Sequence, residues 1–264
     1  LVTHAALGAT VASIRAVLGG RGGAKATTQG AVGGAIHGAA KVIAGRYDGA
    51  GPAVALLTSG FGIGLINTAG LGASPLQEFS VPVWPVRVNV VPRSSAPIRL
   101  SVSAFEVAVV LERMVHEDLS VDWRHTLGTG SVILRTRHGP LLVGGRPTNA
   151  VTIGGVVIVS SEGVDPKRIR RHEMVHAQQY YFLKEAIGRP IEATLRSRWD
   201  SEGRVPNWLD LDVFEPLLTG TDLVLFRERG LWGLRETEAR RLAPGFGVEG
   251  DHGLAVLRQT KALQ

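Results

Sequence analysis

His172-Glu173-Met174-Val175-His176 brings together residue types that can hold a metal ion and move a proton beside it. On an α-helix, residues four apart lie on one face, one turn above each other. Two imidazoles so placed can grip one zinc ion from the same side, with Glu173 next to them. A zinc ion held this way keeps a position open for water. A neighbouring carboxylate can take a proton from that water as it attacks a carbonyl. The chemistry written into these five residues is hydrolysis by a metal-activated water, with His172 and His176 as ligands and Glu173 as general base.

Such a pair works only if a helix carries it. Asp165-Pro166 supplies an N-cap followed by proline at the first helical position. From there to about Gly188 no residue is expected to break a helix, and Arg189-Pro190 is expected to end it, with Ile191–Trp199 starting another. Ile169, His172, His176, Tyr180 and Leu183 share one stripe of the helix. Tyr180, one turn past His176, is the candidate by position for a donor to a developing oxyanion. The competing role for Tyr180 is a packed core aromatic. Upstream, the β-branched run Val151–Val159 reads as one buried strand. A strand edge beside the metal helix could pair with an extended peptide.

The chain has no Cys, so the third ligand must come from another residue type. A later helix, about Gly230 to Leu242, contains Arg235-Glu236-Thr237-Glu238-Ala239-Arg240. Over roughly residues 150–245 the chain resembles the gluzincin group of HExxH zinc metallopeptidases, which includes thermolysin and membrane-embedded prenyl-protein and stress proteases. That group follows HExxH with a Glu on a later helix, in the pattern Glu-x-x-Ala/Ser-Asp. On that pattern Glu236 matches the ligand and Ala239 the small residue. Arg240 stands where the Asp should be. His176-Ala-Gln-Gln179 also looks like envelope-associated relatives of the group. The resemblance implies Zn2+ as cofactor, His172, His176 and Glu236 as its ligands, and Glu173 as general base.

Periodicity alone leaves Glu236 and Glu238 both open as the carboxylate ligand. Leu231, Leu234 and Glu238 form one stripe; Trp232, Glu236, Ala239 and Ala243 form another. Arg240 departs from the family. The Asp in that place hydrogen-bonds a ligand imidazole and fixes its tautomer, whereas Arg has only donors.

The chain of 264 residues suits one large domain or two modest ones. Its net charge is +6, which raises nucleic acid as a partner. The Arg residues are interleaved with acids, and no aromatic–basic alternation offers bases a stacking surface, so nucleic acid is not expected. The tightest basic run, Lys167-Arg168-Ile169-Arg170-Arg171, opens the metal helix against its dipole. It reads as a solvated face or as a contact for anionic lipid heads or an acidic partner.

Residues 1–77 have another texture. They are rich in Gly and Ala, with Asp48 the only acid. Gly51 to Gly72 carries no charge and is about long enough to cross a bilayer, against the alternative of a Gly-rich helical hairpin packed on the rest. Gly34 and Gly38, and Gly60 and Gly64, are spaced for close helix approach. Arg15, Arg21, Lys25, Lys41 and Arg46 precede the run and Glu78 follows it, which would orient the metal-motif half outward. The first residue is Leu1 rather than Met, as in a processed chain or a part of a longer one, and a removed leader is one of the readings left open.

Beyond residue 77 the pattern turns to strands. Val86, Val88, Val90 and Ile98, Leu100, Val102 alternate with polar residues around a Pro92–Ala96 turn, a hairpin signature. Ser103 to Glu106 forms a capping box, opening a helix to about Met114 or Glu117. Ser131–Arg135 and Leu141–Val143 are short strands expected to join at a His138-Gly139-Pro140 turn. Residues 207–218 are expected to lie between helices. His4, His37, His116, His125, His138 and His252 are each expected to be surface or satisfied core residues.

The expectation is an α+β protein: a Gly/Ala-rich, membrane-associated helical region over 1–77, a zincin-like domain over 78–250 with a small β-sheet packed on the metal helix, and a tail over 251–264. Its function would be that of a membrane-associated zinc peptidase of the bacterial cell envelope, its zincin-like domain periplasmic or extracytoplasmic. Its partners would be a peptide or protein substrate and a membrane or membrane protein at residues 1–77. The alternative is a non-catalytic structural or assembly subunit of a membrane complex that keeps a zincin-like scaffold.

Overall fold

A computed structural model describes residues 1–75, 77–84, 86–139, 141–143, 146–161, 166–199, 208–210 and 231–243. The Gly/Ala-rich region forms three helices, α1 (Val2–Leu18), α2 (Gly23–Arg46) and α3 (Gly51–Gly70). Small residues bring their backbones into contact. A Cβ on Gly33 would lie 2.4 Å from the Gly62 carbonyl oxygen, and one on Gly34 would lie 2.0 Å from that of His4. Gly60 and Gly64 serve a different neighbour from the helix their spacing suggests. They face the segment entering β1 (Phe79–Val83), where Cβ atoms would meet the Ser80 carbonyl oxygen at 2.2 Å and the Phe79 Cβ at 2.7 Å.

One sheet has the order β1, β2 (Val86–Val90), β3 (Ile98–Ser103) and β10 (Leu209–Asp210), antiparallel except for the parallel β3–β10 pair. The β2–β3 hairpin is present, but its faces are the reverse of what alternation suggests. Arg87, Asn89, Ser101 and Ser103 are buried, whereas Ile98 and Leu100 are 63% and 57% exposed. The polar face turns inward because it meets a buried carboxylate, Glu185, described below. Ser103 caps α4 (Ala104–His116) through its hydroxyl and the Glu106 N–H, 3.1 Å apart. The Glu106 carboxylate leaves the capping box and pairs with Lys184 at 3.2 Å.

A second sheet has the order β4 (Leu119–Val121), β5 (Ile133–Thr136), β9 (Val156–Val159), β8 (Ala150–Ile153). The helix α5 (Trp123–Thr129) links β4 to β5. The run expected to be a single strand over 151–159 is a hairpin, β8 and β9. Gly154 turns between them with φ +60°, a backbone state glycine adopts without cost. Ser131–Arg135 and Leu141–Val143 do not pair with each other. The first falls on β5, bound to β4 and β9; the second is β6 (Leu141–Val143), bound to β7 (Arg146–Thr148). Strand β9 explains its own composition: Val157 and Val159 pack toward Ile169, Met174 and Ala177, Val156 and Ile158 toward α4. A strand covered on both faces reads as an unbroken apolar run.

Helix α6 (Pro166–Phe182), which carries His172 and His176, does not stop before Pro190. It passes through a π-helical turn, Leu183–Gly188, into α7 (Arg189–Trp199). The wider turn releases carbonyl groups from their usual partners, so Pro190 enters at the first turn of α7, where a missing N–H is tolerated. The Asn67 side chain takes up the Glu185 carbonyl at 3.1 Å. Helix α8 (Leu231–Leu242) packs on α6 and α2. Two hydrophobic clusters run across residue 77: one joins Ala12, Ile63 and Ile66 to Tyr181, Phe182 and Ala186, the other Ala40, Ala44 and Ala55 to Ile133, Ile169 and Met174. The architecture is α+β. The N-cap assigned to Asp165, His252 and the tail over 251–264 lie outside the described residues.

Candidate metal centre

Helix α6 buries its polar stripe. Ile169, His172, His176 and Tyr180 are all buried, because α2, α8 and the second sheet close around this helix. The two imidazoles meet edge to face, with ring centroids 4.8 Å apart and Nε2 atoms 3.1 Å apart. Two nitrogens bound to one zinc ion at about 2.0–2.1 Å and a near-tetrahedral angle lie about 3.2–3.4 Å from each other. The observed 3.1 Å is a hydrogen bond between the rings and lies just under that span. A slight parting of the rings would admit a shared ion, for which a nitrogen pair suits zinc. Among the described residues, no three His, Cys, Asp or Glu side chains gather around one point. Helix α8 carries position 236, but the Glu236 side chain lies outside the described residues. Ala239 and Ala243, on the stripe that Glu236 shares by periodicity, are buried.

Glu173 flanks the imidazole stripe and faces β8. Its Oε2 accepts a 2.5 Å hydrogen bond from the Thr152 hydroxyl, and its backbone oxygen lies 3.4 Å from the same hydroxyl. Thr152 sits on β8, the edge strand of its sheet.

Glu238 is placed on a relay to the imidazole pair. Its Oε1 lies 2.7 Å from His4 Nε2; its Oε2 accepts from Lys41 Nζ and from Gln179 Nε2, each at 2.8 Å. The Gln179 Oε1 lies 2.8 Å from His176 Nδ1. Burial opposes ionisation of Glu238. The His4 hydrogen bond, the Lys41 ammonium and the Gln179 amide outweigh it and hold this carboxyl well below the usual range. Arg240 is exposed.

Tyr180 lines a cleft of about 420 Å³, partly open to solvent, with Ala177, Tyr181, Lys184, Trp84, Glu106 and Gly155. Ala177 is one turn beyond Glu173, so the cleft begins on the Glu173 side of α6. At its far end lies a second charged cluster. Glu185 is fully buried, 3.0 Å from Arg87 Nε and 3.2 Å from Arg189 Nη1, and accepts from the Ser80 hydroxyl at 2.8 Å. Burial alone would raise its pKa, but Arg87, Arg189 and Lys184 bring it below the ordinary value. Burial and the Glu185 charge push the neighbouring Tyr181 phenol up.

The remaining histidines have local roles. His37 is fully buried, with Nδ1 2.7 Å from the Ser59 hydroxyl and its ring against Phe182; burial and then Lys41 hold its pKa well below 6.5. Asp122 caps α5 by accepting from the His125 backbone N–H and also meets the His125 ring, and His138 meets Asp118. Of the basic run, Arg171 forms a bidentate pair with Asp48. Sequence reasoning did not find Gln179, Lys41 and His4 around Glu238. The available signal was Lys41 itself, a cation well inside a Gly/Ala helix, which burial would force to seek a carboxylate.

No family model, no curated protein and no solved structure matches this chain.

Proposed function

We propose that this protein is a zinc-dependent peptidase of gluzincin type with a zincin-like domain. His172, His176 and Glu236 would hold the ion and Glu173 would take the proton from the attacking water. The observation that carries the reading is the convergence of the two Nε2 atoms to 3.1 Å on a helix whose next carboxylate, Glu173, is hydrogen-bonded to the edge strand β8. A zinc ion in this place supplies acidification of a water and polarisation of a carbonyl. The chain's own residues do the rest. Thr152 fixes one Glu173 oxygen, leaving the other for proton transfer. The edge of β8, unpaired among the described residues, would offer backbone groups to an extended peptide running beside Glu173. Tyr180 is the candidate donor to the carbonyl oxygen as charge develops.

The proposal includes attachment of the whole protein to the membrane of a bacterial cell envelope, on its extracytoplasmic side. Helix α3 is long and apolar enough to cross a bilayer, although 67% of its most apolar stretch is buried inside the protein. Leu7, Ile14, Val17 and Leu18 form an exposed stripe on α1, and Val54 and Leu57 are exposed on α3. Such a surface suits lipid contact.

Replacing Glu173 with Gln is expected to leave zinc content unchanged and to abolish hydrolysis of a peptide library. Unchanged hydrolysis would refute the assignment of the base. A second reading, a scaffold subunit without turnover, is favoured by one observation: His172, Glu173 and His176 are each no more than 7% exposed. Zinc bound at one equivalent with no cleavage by the wild-type protein decides for the scaffold.

A further inference from the structure

Gln179 is a second residue of the HExxH helix on which the imidazole pair depends. Its side-chain amide stands between two groups of opposite demand. The Glu238 carboxylate can only accept, so the Gln179 nitrogen faces it, at 2.8 Å. That choice turns the Gln179 oxygen toward His176 Nδ1, also at 2.8 Å. An amide oxygen can only accept, so Nδ1 must carry the proton. Nε2 of His176 is then left with its lone pair, and it is this atom that points to His172 Nε2, 3.1 Å away. The tautomer needed to bind a metal is therefore set before any metal arrives. The orienting carboxylate is itself held in place, by His4 from α1 and Lys41 from α2.

We infer that Gln179, oriented by Glu238, is the positioning residue that fixes the His176 tautomer for metal binding. It does the work that the Asp missing at Arg240 does in the resembling family. The inference rests on the zinc-site reading above, and it also binds the Gly/Ala-rich helices to the metal centre, since two of the groups that hold Glu238 come from them. Outer partners of this kind change metal affinity by about 10- to 100-fold when removed.

Four proteins test it: wild type, Gln179→Leu, the exchange Q179E/E238Q, and Gln178→Leu as a control. The exchange reverses the central bond, with an amide at 238 donating to a carboxylate at 179 that accepts from His176. Gln178 is fully buried one residue away, and neither of its side-chain polar atoms has a hydrogen-bond partner among the described residues. Zinc affinity is read by competition with a chromophoric chelator, and the His176 tautomer by imidazole ¹⁵N NMR of the zinc-free protein. Gln179→Leu is expected to bind zinc about 10- to 100-fold more weakly and to lose the single Nδ1–H tautomer. The exchange should recover most of the affinity, and Gln178→Leu should match wild type. Wild-type affinity in Gln179→Leu, or an equal loss in Gln178→Leu, would overturn the inference while leaving the zinc site standing. Should Gln179→Leu not fold, the wild-type spectrum decides alone, and a proton on Nε2 of His176 overturns it. A wild-type protein that takes up no zinc refutes the peptidase reading instead, with the tautomer still reporting on Gln179.

Discussion

Glu185 is fully buried. A carboxylate with no solvent exposure is tolerated only because Arg87 and Arg189 flank it and Ser80 donates to it. Removing one partner leaves a charge buried without compensation. Arg87→Met is therefore expected to destabilise the fold by about 3–5 kcal/mol, read from denaturant midpoints. The sign of the pH effect follows from the lowered pKa of Glu185. A depressed carboxyl contributes its full stabilisation above the unfolded-state value and loses it as pH falls through the folded value. Stability should thus decline on acidification below the ordinary glutamate range, and Glu185→Gln should flatten that decline while lowering stability at neutral pH. An unchanged acid limb would assign the effect to another group. At this scale the sequence was legible where one motif carried all its chemistry within five residues, as from His172 to His176. It was not legible at Arg87 and Asn89. Their alternation with valines marks them as solvent-facing, and only the distant Glu185 turns them inward.

Glycine spacing decides how the elements meet. Gly33 and Gly62 mark the crossing of α2 and α3, where a Cβ on either would come within 2.4 or 2.6 Å of the other's carbonyl oxygen. Ala in place of Gly gains up to about 1 kcal/mol of helix propensity, whereas overpacking a close contact costs about 1–3 kcal/mol. At Gly33 the contact is backbone, which cannot rotate away, so Gly33→Ala should be net destabilising by roughly 1–3 kcal/mol. Gly23, at the start of the same helix, has nothing within 4 Å of such a Cβ. Gly23→Ala should be neutral or stabilising by up to about 1 kcal/mol. Equal midpoints for the two variants in thermal melts would rule out the close crossing. Spacing announced that Gly60 and Gly64 meet something close, but not what. The partner is the chain entering β1, and a four-residue spacing looks the same whether a strand or a helix lies against it. Likewise Gly154-Gly155 holds a hairpin turn inside an apolar run, a break that the surrounding β-branched residues conceal. Pro190 misled for a related reason. A proline ends a helix by rule, but the π-helical turn before it supplies a new first turn.

The molecule as a whole is organised around α6, and this is where the apolar run in α3 finds its explanation. A span that must face lipid on all sides needs apolar residues for that reason alone. Helix α3 instead lies against α2, β1 and α6, and its Ile63 and Ile66 share a cluster with Tyr181 and Phe182 from the far side of residue 77. Ala40, Ala44 and Ala55 likewise share a cluster with Ile169 and Met174. The helices also hold Glu238 through His4 and Lys41 and bind Arg171 through Asp48. Two regions with distinct composition thus bury their apolar surface in common, and composition alone could not reveal this because it reports texture rather than contact. The consequence is measurable. A protease site inserted between Gly72 and Gln77, then cut, should leave two pieces that run together on gel filtration in detergent-free buffer and melt in one transition at close to the uncut temperature. Separation of the pieces, or two melting transitions, would show that the clusters across residue 77 contribute little. Survival of the nicked complex would place the continuity of the fold in packing across that joint rather than in the covalent chain.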